Sequence, residues 1–240
     1  MLGFKVHRLP EKLHRRFSQA LLSPTSKKVL EDRLTYLTPQ RLLRIERAAR
    51  AVLKSGAQGD FLEMGIALGG SGIIMAEIAK AGGRRFYGYD VFGMIPPPTS
   101  EKDDEKSKER YEKISAGEST GIGNDSYYGY RKDLLGDVMN SFARHGHPVD
   151  NHTIILRKGL FQDTLPHHHG AIAFAHIDCD WYDPVKLCLE LIPPKLSRGG
   201  IIVLDDYHDY GGARTATDEF LKGCSDFEFV DGPNVMLRRR

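Results

Sequence analysis

Asp60-Phe61-Leu62-Glu63-Met64-Gly65-Ile66-Ala67-Leu68-Gly69-Gly70-Ser71 is the stretch on which the fold turns. Asp60 to Gly65 has the character of a short buried strand, and it empties into a glycine-rich turn. Small residues then recur at helical spacing from Ser71 to Ala81, until Gly82-Gly83 stops them. Arg85 to Asp90, with Phe86, Tyr87 and Tyr89, is a second strand. Strand, glycine turn, helix and strand together open a doubly wound α/β sheet. Such a turn lets a nucleotide-type cofactor approach the backbone, because glycine puts no Cβ in the way. Asp90, closing the second strand, is placed to accept hydrogen bonds from two ribose hydroxyls. A dinucleotide fingerprint asks for glycine where this chain has Ala67, which disfavours an NAD(P)-dependent oxidoreductase.

The alternation continues on both sides of this unit. Downstream, His152–Leu156, Ala171–Ile177 and Ile201–Leu204 read as strands, and Arg131–Arg144, Pro184–Leu191 and Ala213–Leu221 as helices. Phe227 to Leu237 predicts two short strands around Asp231-Gly232-Pro233. Upstream, Leu42, Ile45, Ala49, Val52 and Leu53 mark a helix that begins near Pro39 and ends at Gly56. The expected architecture is an α/β, Rossmann-like doubly wound sheet with helices on both faces. A helical region covers residues 1–55 and the sheet domain residues 56–240. That domain is interrupted by a long insert over residues 93–130, which opens with Pro96-Pro97-Pro98, carries a charged run from Glu101 to Lys113 and ends in Gly121-Ile122-Gly123. An insert of this length in a compact domain reads as a lid, a binding loop or a disordered segment, and a mobile lid over the acceptor is the expectation.

Bulk properties narrow the function. The 240 residues suit one sizeable domain, and 40% hydrophobic with 28% charged residues is an ordinary globular composition. A net charge of +2 gives no case for nucleic acid, and the Arg238-Arg239-Arg240 triplet reads as a solvated tail. Cys179, Cys188 and Cys224 form neither a disulfide framework nor a zinc spacing, so a reducing cytoplasm is the simplest location. Met1 to Pro10 lacks the apolar core of a secretion signal, and no stretch approaches the ~20 apolar residues of a membrane helix. The basic, mildly amphipathic Leu13–Leu22 stretch is expected to pack or to make a subunit contact in a homo-oligomer.

Acids gather where the chemistry belongs. His176-Ile177-Asp178-Cys179-Asp180-Trp181-Tyr182-Asp183 ends the fourth strand, and Leu204-Asp205-Asp206-Tyr207 ends the fifth. Ligands of open α/β sheets bind at the carboxyl ends of the strands, so adjacent strands would bring Asp178 to Asp205 and Asp206. Three clustered carboxylates repel unless a cation neutralises them, and hard oxygen donors favour Mg²⁺ or a similar divalent ion. Asp183, before Pro184, reads as a helix cap. His167-His168-His169 reads as a solvated loop. His208 is weighed as a base against an outward-facing filler.

These residues resemble the macrocin O-methyltransferase family over residues 34–220. The match runs through Leu34-Thr35-Tyr36, Glu63, Gly65, Gly69-Gly70-Ser71, Asp90 and Gly159. It continues through Asp163-Thr164-Leu165-Pro166, the Asp178-x-Asp180-x-Tyr182 motif and Gly199-Gly200-x4-Asp205-Asp206-Tyr207. The resemblance implies an S-adenosylmethionine-dependent, divalent-metal-dependent O-methyltransferase of antibiotic biosynthesis, acting on a hydroxyl of a sugar or glycosylated small molecule. It implies that Thr35, Glu63 and Ser71 hold the methionine end of the cofactor and Asp90 its ribose, with Gly65, Gly69 and Gly159 completing the cofactor site. It makes Asp178, Asp205 and Asp206 the metal ligands and Asp178 the favoured base, with Asp180 and His208 as rivals. The chain departs from the family at Ala67-Leu68, where an aromatic and a basic residue are usual, and at Asp90-Val91-Phe92-Gly93-Met94, where Asp-Ser-Phe-Glu-Gly is usual. The alternatives are a metal-dependent methyltransferase of a catechol-like phenol and a non-catalytic cofactor-binding subunit.

Overall fold

The structure, a computed structural model, describes the backbone of residues 11–240 and side chains from residue 15 onward. The Met1–Pro10 segment and the Leu13 side chain, both used above, lie outside the described residues. Three helices come first: α1 (Glu11–Leu21), α2 (Pro24–Glu31) and α3 (Pro39–Ser55). Pro39 occupies the first turn of α3, Thr38 caps it through its side chain, and Gly56 ends it in the left-handed conformation at φ 78°. The alternating unit follows as β1 (Asp60–Met64), α4 (Gly70–Ala81) and β2 (Phe86–Asp90). The insert carries α5 (Glu105–Ser115), and α6 (Leu134–Arg144) leads into β3 (Ile154–Lys158). Then come α7 (Phe161–Thr164), β4 (Ile172–Ile177), α8 (Tyr182–Leu191), β5 (Leu196–Leu204), α9 (Gly211–Lys222), β6 (Phe227–Val230) and β7 (Val235–Arg239).

The strands form one sheet in the order β3-β2-β1-β4-β5-β7-β6, parallel from β3 to β5 and antiparallel at β7 and β6. Alternation along each buried strand splits the apolar side chains between two faces. Phe61, Phe86 and Phe174 meet α3, α4 and α6 on one face, and Leu62, Met64, Ile177 and Ile202 meet α8 and α9 on the other. The doubly wound sheet expected from the sequence is therefore present. The helical region is continuous with it, because Leu42, Ile45 and Val52 of α3 share a core with Phe61 and Phe174. On α1, Phe17 and Leu21 stay exposed one turn apart, at the place where a subunit contact was expected. Among the described residues, no helix is long and apolar enough to cross a membrane.

Boundaries moved where turns intervened. β3 starts two residues later than expected because the Asp150 side chain collects the backbone N–H groups of His152, Thr153 and Ile154, which would otherwise join the strand. β5 begins at Leu196 rather than Ile201, and its register against β4 shifts between Ile172 and Phe174. Asp183 does not cap α8: the helix starts at Tyr182, and Asp183 accepts a hydrogen bond from Thr99 Oγ1 at 2.6 Å.

The histidine tract also corrects expectation. His167 and His169 are exposed, but His168 is buried, 3.3 Å from Tyr89 Oη and edge-on to Tyr87 at 4.9 Å between ring centres. Burial holds its imidazole below the usual histidine value, against the pull of Asp60. The folded protein thus holds fewer protons here than the unfolded chain once pH drops below about 6.5. Stability from this site is complete above that pH and falls as pH descends toward the lower folded value. Urea midpoints at pH 7.5 and 5.5 should differ less in His168→Gln than in the parent; an unchanged difference would remove His168 from the acid response.

Candidate functional site

The glycine turn and the end of β2 are joined through one carboxylate. Asp90 Oδ2 accepts from Ile66 N at 2.7 Å and Ala67 N at 3.1 Å, and Oδ1 accepts from Phe92 N at 2.6 Å. Burial pushes the Asp90 carboxyl up, while the three N–H donors favour the ion. Asp90 therefore braces the turn as well as facing the cavity. Ala67, which departs from the family pattern, and Phe92, which keeps the family's residue, both sit at positive φ, 46° and 47°. Gly65 lies at φ 93°, and a Cβ there would stand 1.8 Å from the carbonyl oxygen of Asp178. Only glycine allows β1 and β4 to end this close together.

The other expected cofactor residues separate into two groups. Thr35 and Ser71 face the cavity with Gly65 and Asp90. Glu63, Gly69 and Gly159 line neither of the two cavities at the strand ends. Glu63 is fully buried and pairs with His176 Nδ1 at 2.9 Å, while its Oε2 has no partner among the described residues. Gly69 is the N-cap residue before α4, and Gly159 N donates to the Asp90 carbonyl.

The acids converge. Asp178 N donates to Met64 O at 2.9 Å and Asp205 N to Ile177 O at 3.0 Å, so each acid stands one step beyond a parallel ladder. One carboxylate oxygen from each of Asp178, Asp205 and Asp206 lies within 4.8 Å of the others. Asp205 is held by Arg41 Nη1 at 2.7 Å and Asn234 Nδ2 at 3.3 Å, and Asp206 accepts from the Asp180 backbone N–H at 3.0 Å. Asp178 is half-buried, and among the described residues no group donates to its carboxylate. Burial first, then Asp205 and Asp206, push its carboxyl well above the usual range. Burial and the neighbouring acids do the same to Asp206. Arg41 is shared with Asp209 at 2.6 Å, so one guanidinium is spread over two acids. A divalent cation would relieve the remaining repulsion, and an all-oxygen donor set with one unshared carboxylate suits Mg²⁺.

Two adjoining cavities, of about 500 Å³ and about 410 Å³, share Gly65, Asp90, Asp178 and Asp180 as walls. The larger runs past Val91, Leu160, Phe161 and Gln162, and the smaller past Ser71, Arg41 and the acids. The insert covers both, bringing Ile95 and Tyr128 to each and Lys106, Arg110 and Tyr127 to the smaller one. None of these insert residues was picked out from sequence, because a charged run without apolar period carries no local sign of what it will face. Arg41 was missed because a single arginine in the first turn of α3 carries no local sign of a partner 164 residues away. His208 turns away to Asp231 at 3.0 Å.

A parallel sheet closed by an antiparallel β7 between β5 and β6, with a glycine turn and acids at adjoining strand ends, is the architecture of a cofactor-dependent methyltransferase. Comparison with known proteins specifies which kind. The family described as Macrocin-O-methyltransferase (TylF) matches residues 29–238, and the chain belongs to that family. It is an S-adenosylmethionine-dependent O-methyltransferase. A Streptomyces olivaceus protein, 8-demethyl-8-(2,3-dimethoxy-alpha-L-rhamnosyl)-tetracenomycin-C 4'-O-methyltransferase, is 29% identical, with 83% of this chain and 73% of that one aligned. Mycinamicin III 3''-O-methyltransferase of Micromonospora griseorubida is 27% identical over 85% of this chain and 78% of that one. The fold is shared with the O-methyltransferase NovP at a TM-score of 0.72 and 22% identity, covering 95% of this chain and 98% of that one.

Proposed function

We propose that the chain methylates a hydroxyl of a sugar or a glycosylated natural product, with a divalent cation such as Mg²⁺ held by Asp178, Asp205 and Asp206. The convergence of these three acids beside the cavity wall formed by Gly65 and Asp90 carries the proposal. The sugar acceptor is supported by the relatives' names, two of which specify positions on glycosylated compounds. A cation so held would lower the pKa of an acceptor hydroxyl, which is almost never ionised near neutral pH.

The remaining roles fall to the chain's own groups. Asp90, Ser71 and Thr35 would hold the cofactor, which would supply the transferable methyl. A carboxylate committed to a cation is a weaker proton acceptor, so Asp180 becomes the preferred base and Asp178 serves as ligand. Asp180 borders both cavities, sits at φ 58°, and has its carboxyl pushed up to about 7, chiefly by burial. The insert acts as a lid that excludes water and shapes the acceptor site. Much of the rate is expected from aligning oxygen, methyl and sulfur.

The direct test is to offer S-adenosylmethionine with a panel of glycosylated natural products, their aglycones and catechols. NMR of the product should place the new methyl on a sugar oxygen. Methylation of catechol or aglycone with no glycoside turned over would replace this acceptor class.

A further inference from the structure

Two helices that begin immediately after the acid loops lack caps of their own. The residue before α8, Trp181, and the residue before α9, Tyr210, make no side-chain capping bond. Both helix starts are served instead by consecutive residues of the insert. Asp103 Oδ1 accepts from Tyr182 N at 2.8 Å, and Asp104 Oδ2 accepts from Gly211 N at 2.8 Å. Asp104 uses its other oxygen to cap α5, accepting from Ser107 N at 3.0 Å and Ser107 Oγ at 2.7 Å. The first turns of three helices therefore meet on one dipeptide, where carboxylates face their exposed N–H groups and positive dipole ends.

The fit leaves little slack. A Cβ on Gly212 would lie 2.1 Å from Asp103 Oδ1, and one on Gly211 would lie 2.8 Å from Asp104 Oδ2. Asp103 is 3% exposed, although it belongs to a highly charged insert. Further bonds surround the pair: Trp181 Nε1 donates to Pro96 O at 2.9 Å, and Lys102 bridges Tyr182 Oη and Glu219, each at 2.7 Å. Simple anchoring of an insert could have used any surface. Here the two aspartates land two residues after Asp180 and two after Asp209, at the ends of the loops that carry the site acids.

We infer that Asp103 and Asp104 are positioning residues that tie the lid to both acid loops at once, so that seating the lid sets the spacing of Asp178 and Asp180 against Asp205 and Asp206. The catalytic consequence rests on the function proposed above; the mechanical coupling does not. Asp103→Asn keeps an acceptor oxygen toward Tyr182 N, whereas Asp103→Ala and Asp104→Ala remove one.

The experiment is hydrogen exchange on the full-length, cofactor-free protein, read at the insert, at residues 178–186 and at residues 205–214. In Asp103→Ala, exchange should rise about tenfold in the insert and at 178–186, the factor that loss of one helix cap is worth. Asp104→Ala should do the same at 205–214, β1 and β2 should stay protected in both, and Asp103→Asn should resemble the parent. With acceptor, the alanine variants should lose turnover while their dissociation constant for S-adenosylhomocysteine stays within about threefold, since β1 and β2 hold most of the cofactor. Faster exchange confined to the insert, or an asparagine variant as open as the alanine one, would overturn the coupling. Because exchange needs neither metal nor acceptor, that result is independent of whether the acids bind a cation. If exchange changes as expected but turnover does not, the positioning role is overturned and only anchoring survives.

Discussion

In Asp178→Asn, turnover is expected to fall at least about 10²-fold while S-adenosylhomocysteine binding stays near that of the parent. The substitution nearly preserves shape, so the loss reports charge. Asp178 is the member of the cluster whose carboxylate no donor among the described residues engages, whereas Asp205 is already matched by Arg41 and Asn234. It is therefore the acid with most to offer a cation. Asp180→Asn should fall by a similar factor, through loss of the base, but without weakening the cation. Calorimetry with Mg²⁺ separates the two, since only Asp178→Asn should lose binding. EDTA should abolish the parent's activity and Mg²⁺ restore it. Mg²⁺ at a hundredfold excess over its dissociation constant should add about 2.7 kcal/mol of stability through preferential binding to the folded state. Full activity in EDTA, or an Asp178→Asn enzyme within a few-fold of the parent, would dismiss the cation site.

The second large effect is expected at Gly65→Ala. The residue sits at φ 93° with the Asp178 carbonyl oxygen 1.8 Å from the position of a Cβ. Backbone strain alone costs roughly 1–3 kcal/mol, and the overlap is with main chain, which cannot swing aside as a side-chain tip could. Relief requires the ends of β1 and β4 to part, carrying Asp178 away from Asp205 and widening the turn braced by Asp90. Urea unfolding should show a loss of about 3 kcal/mol or more, and cofactor affinity should fall with it. A variant of parental stability that still binds S-adenosylhomocysteine would mean that β1 and β4 are not held this tightly together.

Much of this site was legible because it depends on local pattern plus one topological rule. The Asp60–Gly65 strand, the glycine turn and the Ser71–Ala81 helix announce themselves through period and composition. Once β4 and β5 are neighbours, Asp178 and the Asp205-Asp206 pair must meet at their carboxyl ends. Less legible was what each polar group would choose as a partner. Glu63 was assigned to the cofactor from resemblance, yet it spends its Oε1 on His176, 113 residues away. Asp183, beside Pro184, has the local look of a cap, but the capping oxygen comes from Asp103.

The sequence by itself determined the doubly wound sheet, the turn that admits a cofactor and the meeting of three acids, since periodicity, glycine placement and parallel strand order dictate these within short segments. Only the tertiary structure decided that Arg41 would balance Asp205 from 164 residues away, that His168 would be buried while its two neighbours face solvent, and that the insert would cap two helices of the main domain. The physical reason is common to all three. Local backbone preference is set by neighbours in the chain, whereas the satisfaction of a buried charge or an exposed helix end is set by whatever the completed packing brings within hydrogen-bond reach.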